Sequence, residues 1–483
     1  MKNKVVDHGI ENEEACLPAK QPAWRKWLIL VCSVAIYMIF SNVPITGLTE
    51  NGAKSLGYTI IVILWLLFEV FPLAVIAILA VVCAPALGLV SQADAFANFA
   101  VGPAFFVFGV LMIAVAFTST GFGARTSLYV SGLLGSKPKY VLLSYMLGTG
   151  VISSLLADIP TAFIFGSLAV ELLKKNHCMP GCSNFGRSIM IGIPIAATVG
   201  GLGTPAGGAL NVMTISMLQS IAGINISFLK WTLICYPFAI IMLLICWFIL
   251  CKIFPAEIDN VEGLDNIEEQ KKALGPMTVG EKKYLLIFAI MLVLWMTSSI
   301  HGLSLWLIAV AGAAFLFMPG IDILDWRKMG SQIGCEVPYL ICGTNVVAYI
   351  LTVNGTAEWL ADRTLGSIQS SSIFLILIIA AALGVYGHVV VPCATALLSV
   401  LTPIVLMLAP QFNISPMMMG LVVGLAAHVT TLLPHADAVS LATYDHNYWT
   451  MAEMIKPSLI YGTLWIPISV LYLYFFQVIG IIA

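Results

Sequence analysis

Asp158 and Asp437 are the residues whose chemistry is most at odds with their surroundings. Asp158 stands in SLLADIPTAFIF (154–165) and is the one charged residue between Val141 and Val170. Asp437 stands in TTLLPHADAVSL (430–441), two positions after His435, and His388 lies in GHVVVPCATA (387–396). A carboxylate in such a setting has three chemistries: a hard-oxygen ligand for Na⁺, a proton carrier, or the partner of a cationic group on a ligand. The structural alternative is a helix cap on the amides that follow. A neutral serine or asparagine would cap at lower desolvation cost, which favours a functional role. A single histidine is more often a hydrogen-bonded core residue. Asp158, His388, His435 and Asp437 gathered on irregular backbone form a proton-linked candidate set.

The elements that must position these groups follow from composition. The 483 residues are 60% hydrophobic and 10% charged, against roughly 25% charged for an ordinary soluble domain. Apolar stretches of some 18 residues recur, each long enough for about 30 Å of hydrocarbon. They fall at 27–45, 58–83, 103–120, 190–202 continuing to 222, 231–251, 284–300, 303–318, 337–353, 417–433 and 457–481. The fold class read from this is an all-α polytopic membrane protein. The net charge of −2 implies no nucleic-acid partner. Eleven cysteines lie mostly in apolar spans as small buried hydrophobes. The stretch His177–Cys182 imitates a metal site but lacks a second pair of ligands and reads as a loop. Lysine and arginine placement puts the N-terminus in the cytoplasm and, with an odd number of crossings, the C-terminus outside. The expected location is a bacterial inner membrane.

The chain divides at the charged stretch 252–283. The expected organisation is a cytoplasmic tail (1–26), a first membrane half (27–251), a cytoplasmic linker (252–283) and a second half (284–483). The halves share an order of features. STGFGAR (119–125) precedes Thr161 of PTAF as VNGTAEW (353–359) precedes Thr395 of PCATALL, and each half continues to a broken segment. These are GGLGTPAGGALN (200–211) and TTLLPHADAVSL (430–441). Two inverted repeats with about 11 transmembrane helices are expected, placing a site near the midplane between broken helices.

Irregular backbone survives in a membrane only inside protein or around a wet cavity. Pro160 removes a donor and disfavours helix at Ile159. The spacing therefore predicts a re-entrant hairpin near 140–173, with its tip at Asp158–Pro160 and a second helical arm from Thr161. A matching hairpin is expected near 371–409. The glycines of GGLGTPAGGALN let backbone groups approach a ligand closely, although close helix packing would also use them. Asn211 and Asn345 are substrate contacts or interhelical hydrogen bonds, with packing favoured for Asn345. Glu69 reads as a scaffold residue.

These features together resemble the divalent anion:sodium symporter family, whose members carry dicarboxylates, citrate or sulfate. The resemblance runs from about Trp27 to the C-terminus. It rests on WLLFEVFPLAVIAIL (65–79), GGLGTPAGGALN, LPHADAVSL and EMIKPSLIYG. The family's hairpin tips carry Ser-Asn-Thr; here Ala157-Asp158-Ile159 and Val391-Pro392-Cys393 stand in their place. The resemblance implies substrate contacts at Thr161, Gly208, Ala209, Asn211, Cys393, Thr395, Asp437 and Ala438. It implies ion contacts at Ala157, Asp158, Gly207, Pro392 and Ala436. It further implies a homodimer and an elevator-like motion.

The expected function is cation-coupled secondary transport of a small organic anion, a dicarboxylate, tricarboxylate or sulfonate, with Na⁺ or protons as the drive and no other cofactor. Sodium/proton antiport without an organic substrate is the alternative. An enzyme is not expected, because no nucleophile motif, metal-ligand spacing or nucleotide-binding loop is present.

Overall fold

A computed structural model of the chain describes residues 23–482 apart from 69, 131–133, 263–271, 330–335, 357–358, 360–371, 390, 392 and 433–436. Glu69, Pro392, His435 and Ala436 thus lie outside the described residues. The described chain is helical. The first half runs α1 (Ala23–Asn42), α2 (Glu50–Leu67), α3 (Leu73–Ala86), α4 (Gln92–Phe99), α5 (Gly102–Ser119), α6 (Phe122–Val130), α7 (Pro138–Leu155), α8 (Asp158–Lys175), α9 (Asn184–Gly201), α10 (Ala209–Ala222) and α11 (Phe228–Ile253). The second half runs α12 (Val279–Met296), α13 (Leu305–Phe315), α14 (Glu336–Val353), α15 (Ile373–Tyr386), α16 (Ala394–Leu408), α17 (Pro416–Ala426), α18 (Ala438–Tyr444) and α19 (Met451–Val478).

Among the described residues, six helical stretches are long and apolar enough to cross a membrane. Others are too short to cross alone: α10 has 14 residues and α17 has 11, about 21 and 16 Å at 1.5 Å per residue. The apolar stretch 58–83, expected as one span, is two helices. Phe68 ends α2 and Pro72 opens α3, where its missing N–H costs nothing.

Packing is duplicated between the halves. α5 lies on α13 as α14 lies on α3, and α7 on α9 as α15 on α17. The contact points match to the residue. A Cβ on Gly109 of α5 would stand 2.8 Å from Ala309 of α13, and one on Gly343 of α14 would stand 2.6 Å from Ala77 of α3. Each glycine lies seven residues into its helix and each alanine four into its own. Gly150 and Gly200 make the α7–α9 crossing, where a Cβ on Gly200 would meet Gly150 Cα at 2.2 Å. Gly384 against Ala426 makes the α15–α17 crossing. Close approach of this kind is how helices associate where lipid supplies no hydrophobic drive.

Polar ties hold the ends. Arg125 of α6 pairs with Glu281 of α12 through two bonds, 2.8 and 3.1 Å, and donates to the Gly275 carbonyl at 3.0 Å. Both side chains are buried. Glu281 also completes a capping box with Thr278, and its carboxyl lies below the usual range because Arg125 bonds it. Arg187 of α9 reaches Glu453 of α19 at 2.7 Å. Of the interhalf stretch, the residues just before 263–271 are docked: the Val261 amide donates to the Ser136 carbonyl and the Glu262 amide to Asn176 Oδ1.

Candidate functional site

Four helix N-termini come together in two packed pairs, α8 with α18 and α10 with α16, beside two broken segments. The first break is sharp: Leu156 is extended, Ala157 is the N-cap, and α8 starts at Asp158. The expected start at Thr161 is therefore three residues late. Pro160 fits the first turn, where its absent N–H removes no intrahelical bond. Asp158 is half-buried, and its Oδ1 accepts from the Ile159 amide at 3.0 Å. A carboxylate here complements the helix's positive end. Thr161 is fully buried and its hydroxyl donates to the Ala157 carbonyl at 3.0 Å, so its oxygen turns back on its own helix.

The loop 202–208 between α9 and α10 is clamped to that first tip. The Thr204 hydroxyl donates to the Ser154 carbonyl, and Ser153 bonds Ala197 of α9 at 2.6 Å. A Cβ on Gly207 would stand 2.2 Å from the Gly201 oxygen and 2.9 Å from the Ser153 oxygen. Only glycine allows that approach. Asn211 is buried in the first turn of α10, with Nδ2 donating to the carbonyls of Gly201 (2.8 Å) and Thr204 (2.7 Å). Its Oδ1 has no partner. Gly208, the N-cap of α10, and Ala209 are half-buried, and no side chain caps that terminus.

The second half repeats the clamp with different chemistry. His388, in a one-turn 3-10 segment after α15, bonds the Ala427 carbonyl through Nε2 at 3.0 Å. Cys393 is the N-cap of α16, with its sulfur 3.1 Å from the Thr395 hydroxyl. Asp437 is the buried N-cap of α18, and its Oδ2 accepts from the Ser440 amide (3.1 Å) and hydroxyl (2.5 Å). Ala438 opens α18 and is exposed. Tyr461 and Ser458 of α19 hold Thr431 in the intervening turn.

The two halves meet here. α8 packs on α18 and α10 on α16. Asp158 opens α8 and Asp437 caps α18, so each helix of the packed α8–α18 pair carries a carboxylate at its N-terminus. The N-terminal ends of the α8–α18 pair are therefore acidic. The α10–α16 pair is neutral, with neither N-terminus capped by a side chain. His428, at the end of α17, was not singled out from sequence. It is buried, with Nδ1 bonded to the Gly424 carbonyl at 2.8 Å and Nε2 free of a partner. A polar residue in AAHVTT just before a break was the signal that could have found it. Asn345, by contrast, donates to the Asn98 carbonyl at 2.9 Å and joins α14 to α4. It also lines a cavity of about 590 Å³ beside α5, α10 and α13, which touches the first break at Pro205.

The broken helices pair across the chain, α8 with α18 and α10 with α16, within an all-helical fold. Two solved transporters share the fold. The Alcanivorax borkumensis YdaH transporter aligns with TM-score 0.56 and 15% identity over 80% of this chain and 88% of that one. Neisseria gonorrhoeae MtrF aligns with TM-score 0.55 and 11% identity over 95% and 96%. The chain belongs to the family described as the sodium:sulfate symporter transmembrane region, whose model matches residues 24–482. A sodium-dependent dicarboxylate transporter of Staphylococcus saprophyticus is 24% identical over 454 residues, 89% of this chain and 87% of its own length. One from Staphylococcus aureus is 24% identical over 409 residues, covering 80% and 78%. The protein is an integral membrane transporter and not an enzyme.

Proposed function

We propose that this protein carries a small organic dianion across the membrane, coupled to sodium, by alternating access at the junction of its two broken segments. The observation that carries this reading is the chemical asymmetry of the junction. The acidic α8–α18 pair suits a cation, and the uncapped α10 terminus suits a carboxylate. The dicarboxylate class is favoured because the relatives over most of the chain are sodium-dependent dicarboxylate transporters.

In this reading Asp158, with Ala157 and Gly207 beside it, contributes to the sodium site, and Pro392 and Ala436 belong to its counterpart. Gly208, Ala209, Asn211, Cys393 and Thr395 face the anion. The two halves are inverted repeats, α7–α8 and α15–α16 are re-entrant hairpins, and about 11 helices span the bilayer. The N-terminus is cytoplasmic and the C-terminus outside. A homodimer with elevator-like motion of the hairpin-bearing part completes the proposal. Sodium/proton exchange without an organic substrate is a second reading, favoured by the carboxylates at the N-termini of the packed α8–α18 pair.

Uptake of labelled succinate into proteoliposomes, with sodium and proton gradients imposed separately, decides between them. Sodium-driven uptake supports the proposal. Sodium/proton exchange with no anion uptake supports the second reading and removes the first.

A further inference from the structure

The α10 N-terminus carries unused bonding capacity of a specific kind. Asn211 fixes its own orientation by donating twice through Nδ2, which leaves Oδ1 as an acceptor without a donor. His428 is fixed in the same way. Its Nδ1 faces a carbonyl oxygen at 2.8 Å, so Nδ1 carries the hydrogen and Nε2 of the neutral ring is an acceptor. Nε2 also has no partner among the described residues. His428 is 4% exposed and Asn211 0%. A buried acceptor left unpaired is costly, so each unpaired one in a native fold asks for an occupant.

Space beside the His428 acceptor lies at Gly208. A Cβ built there would stand 3.7 Å from Asn211 Nδ2, 3.8 Å from His428 Nε2 and 3.9 Å from the Gly201 oxygen, and would meet nothing nearer. The φ of −160° at Gly208 is ordinary extended backbone. Neither sterics nor backbone conformation requires glycine at 208, unlike at Gly207, so the methyl-sized gap has another use. Beside it are the first amides of α10, which lack intrahelical partners and are not capped by a side chain.

We infer that Gly208, Asn211 and His428 form a niche for a hydrogen-bond donor carried next to the substrate's carboxylate, so that the preferred substrate is a 2-hydroxy or 2-amino dicarboxylate. The carboxylate takes the α10 amides, and the neighbouring hydroxyl or ammonium donates to His428 Nε2, while Asn211, held by its two Nδ2 bonds, forms the wall of the niche. His428 comes from the second half and Asn211 from the first, so the substrate would bridge them. This rests on the transport reading above and adds the substrate's chemistry to it.

The test is uptake by the full-length protein in proteoliposomes under a sodium gradient, comparing succinate, 2-hydroxysuccinate and 2-aminosuccinate. The expected wild-type KM is about tenfold lower for one or both substituted acids than for succinate, the value of a well-made buried hydrogen bond; which acid benefits identifies the donor. His428→Leu is expected to bring that ratio near one. Gly208→Ala puts a methyl in the niche at ordinary contact distances and is expected to fold while lowering the ratio likewise, so it carries the test if His428→Leu is not recovered. A wild-type ratio of one with succinate still transported overturns the niche and leaves the transport reading intact. A ratio unchanged by Gly208→Ala also overturns it, as does a change confined to the sodium requirement, which would assign the niche to the cation. No uptake of any of the three overturns the transport reading itself.

Discussion

Asp158 opens α8 with its carboxylate on the Ile159 amide, at the positive end of the helix. Its isolation among apolar neighbours marked it, and Pro160 marked a helix break nearby. The break lies at Leu156–Ala157, because proline tolerates the third position of a helix as readily as it ends one. In the sodium role, Asp158→Asn removes a full negative charge from the ion site while keeping one oxygen. The sodium concentration for half-maximal uptake should then rise about tenfold, roughly 1.4 kcal/mol. An unchanged sodium titration would return Asp158 to the role of a helix-end charge. Asp437 differs, since its carboxylate is already engaged by Ser440. Asp437→Ala should cost about 1 kcal/mol through the lost cap, read as a lowered Tm in detergent, whereas Asp437→Asn should retain most of it. His428 was missed because its value lies in an unpaired ring nitrogen beside residues more than 200 positions earlier in the chain, which no local pattern encodes.

Among elements, the broken segments were legible from glycine and proline content, and their pairing with the tips was not. The first clamp uses the Thr204 hydroxyl on a carbonyl, the second a histidine on a carbonyl. Such exchange of chemistry hides a repeat from residue matching while leaving its geometry intact. The equal offsets of Gly109 and Gly343 along their helices make the same point. The stretch 58–83 was misread as one span because hydropathy alone does not see Pro72 opening a new helix. Glycines at the crossings are predicted to be unreplaceable. Gly200→Ala would drive a Cβ to 2.2 Å from Gly150 Cα, and Gly207→Ala to 2.2 Å from a carbonyl oxygen. Overpacking against backbone should cost each variant about 1–3 kcal/mol or more, seen as reduced yield of monodisperse protein. Gly208→Ala in the same loop should not share that loss.

At the scale of the whole molecule, membrane character, helical class and family were legible because composition and long-range order carry them. The ties between parts were not. Arg125 and Glu281 are 156 positions apart and join α6, which follows α5, to the first turn of α12. Because Glu281 titrates below its ordinary value in the folded protein, this pair stabilises the fold above the unfolded glutamate pKa. The contribution is lost as pH falls through the lower folded value. Thermal stability should therefore fall on acidification below about pH 4, and Glu281→Gln should flatten that dependence; an unaltered acid profile would contradict it. In the proposed mechanism, cation and anion meet in one junction built by both halves. Two ligands sharing a site must change each other's affinity by the same factor. The most direct measurement is the Kd of labelled succinate for the purified protein across a sodium titration, paired with the apparent sodium affinity across a succinate titration. Succinate is expected to bind at least about tenfold more tightly in saturating sodium than in potassium, with the reciprocal shift for sodium. Succinate binding that is indifferent to sodium would contradict it.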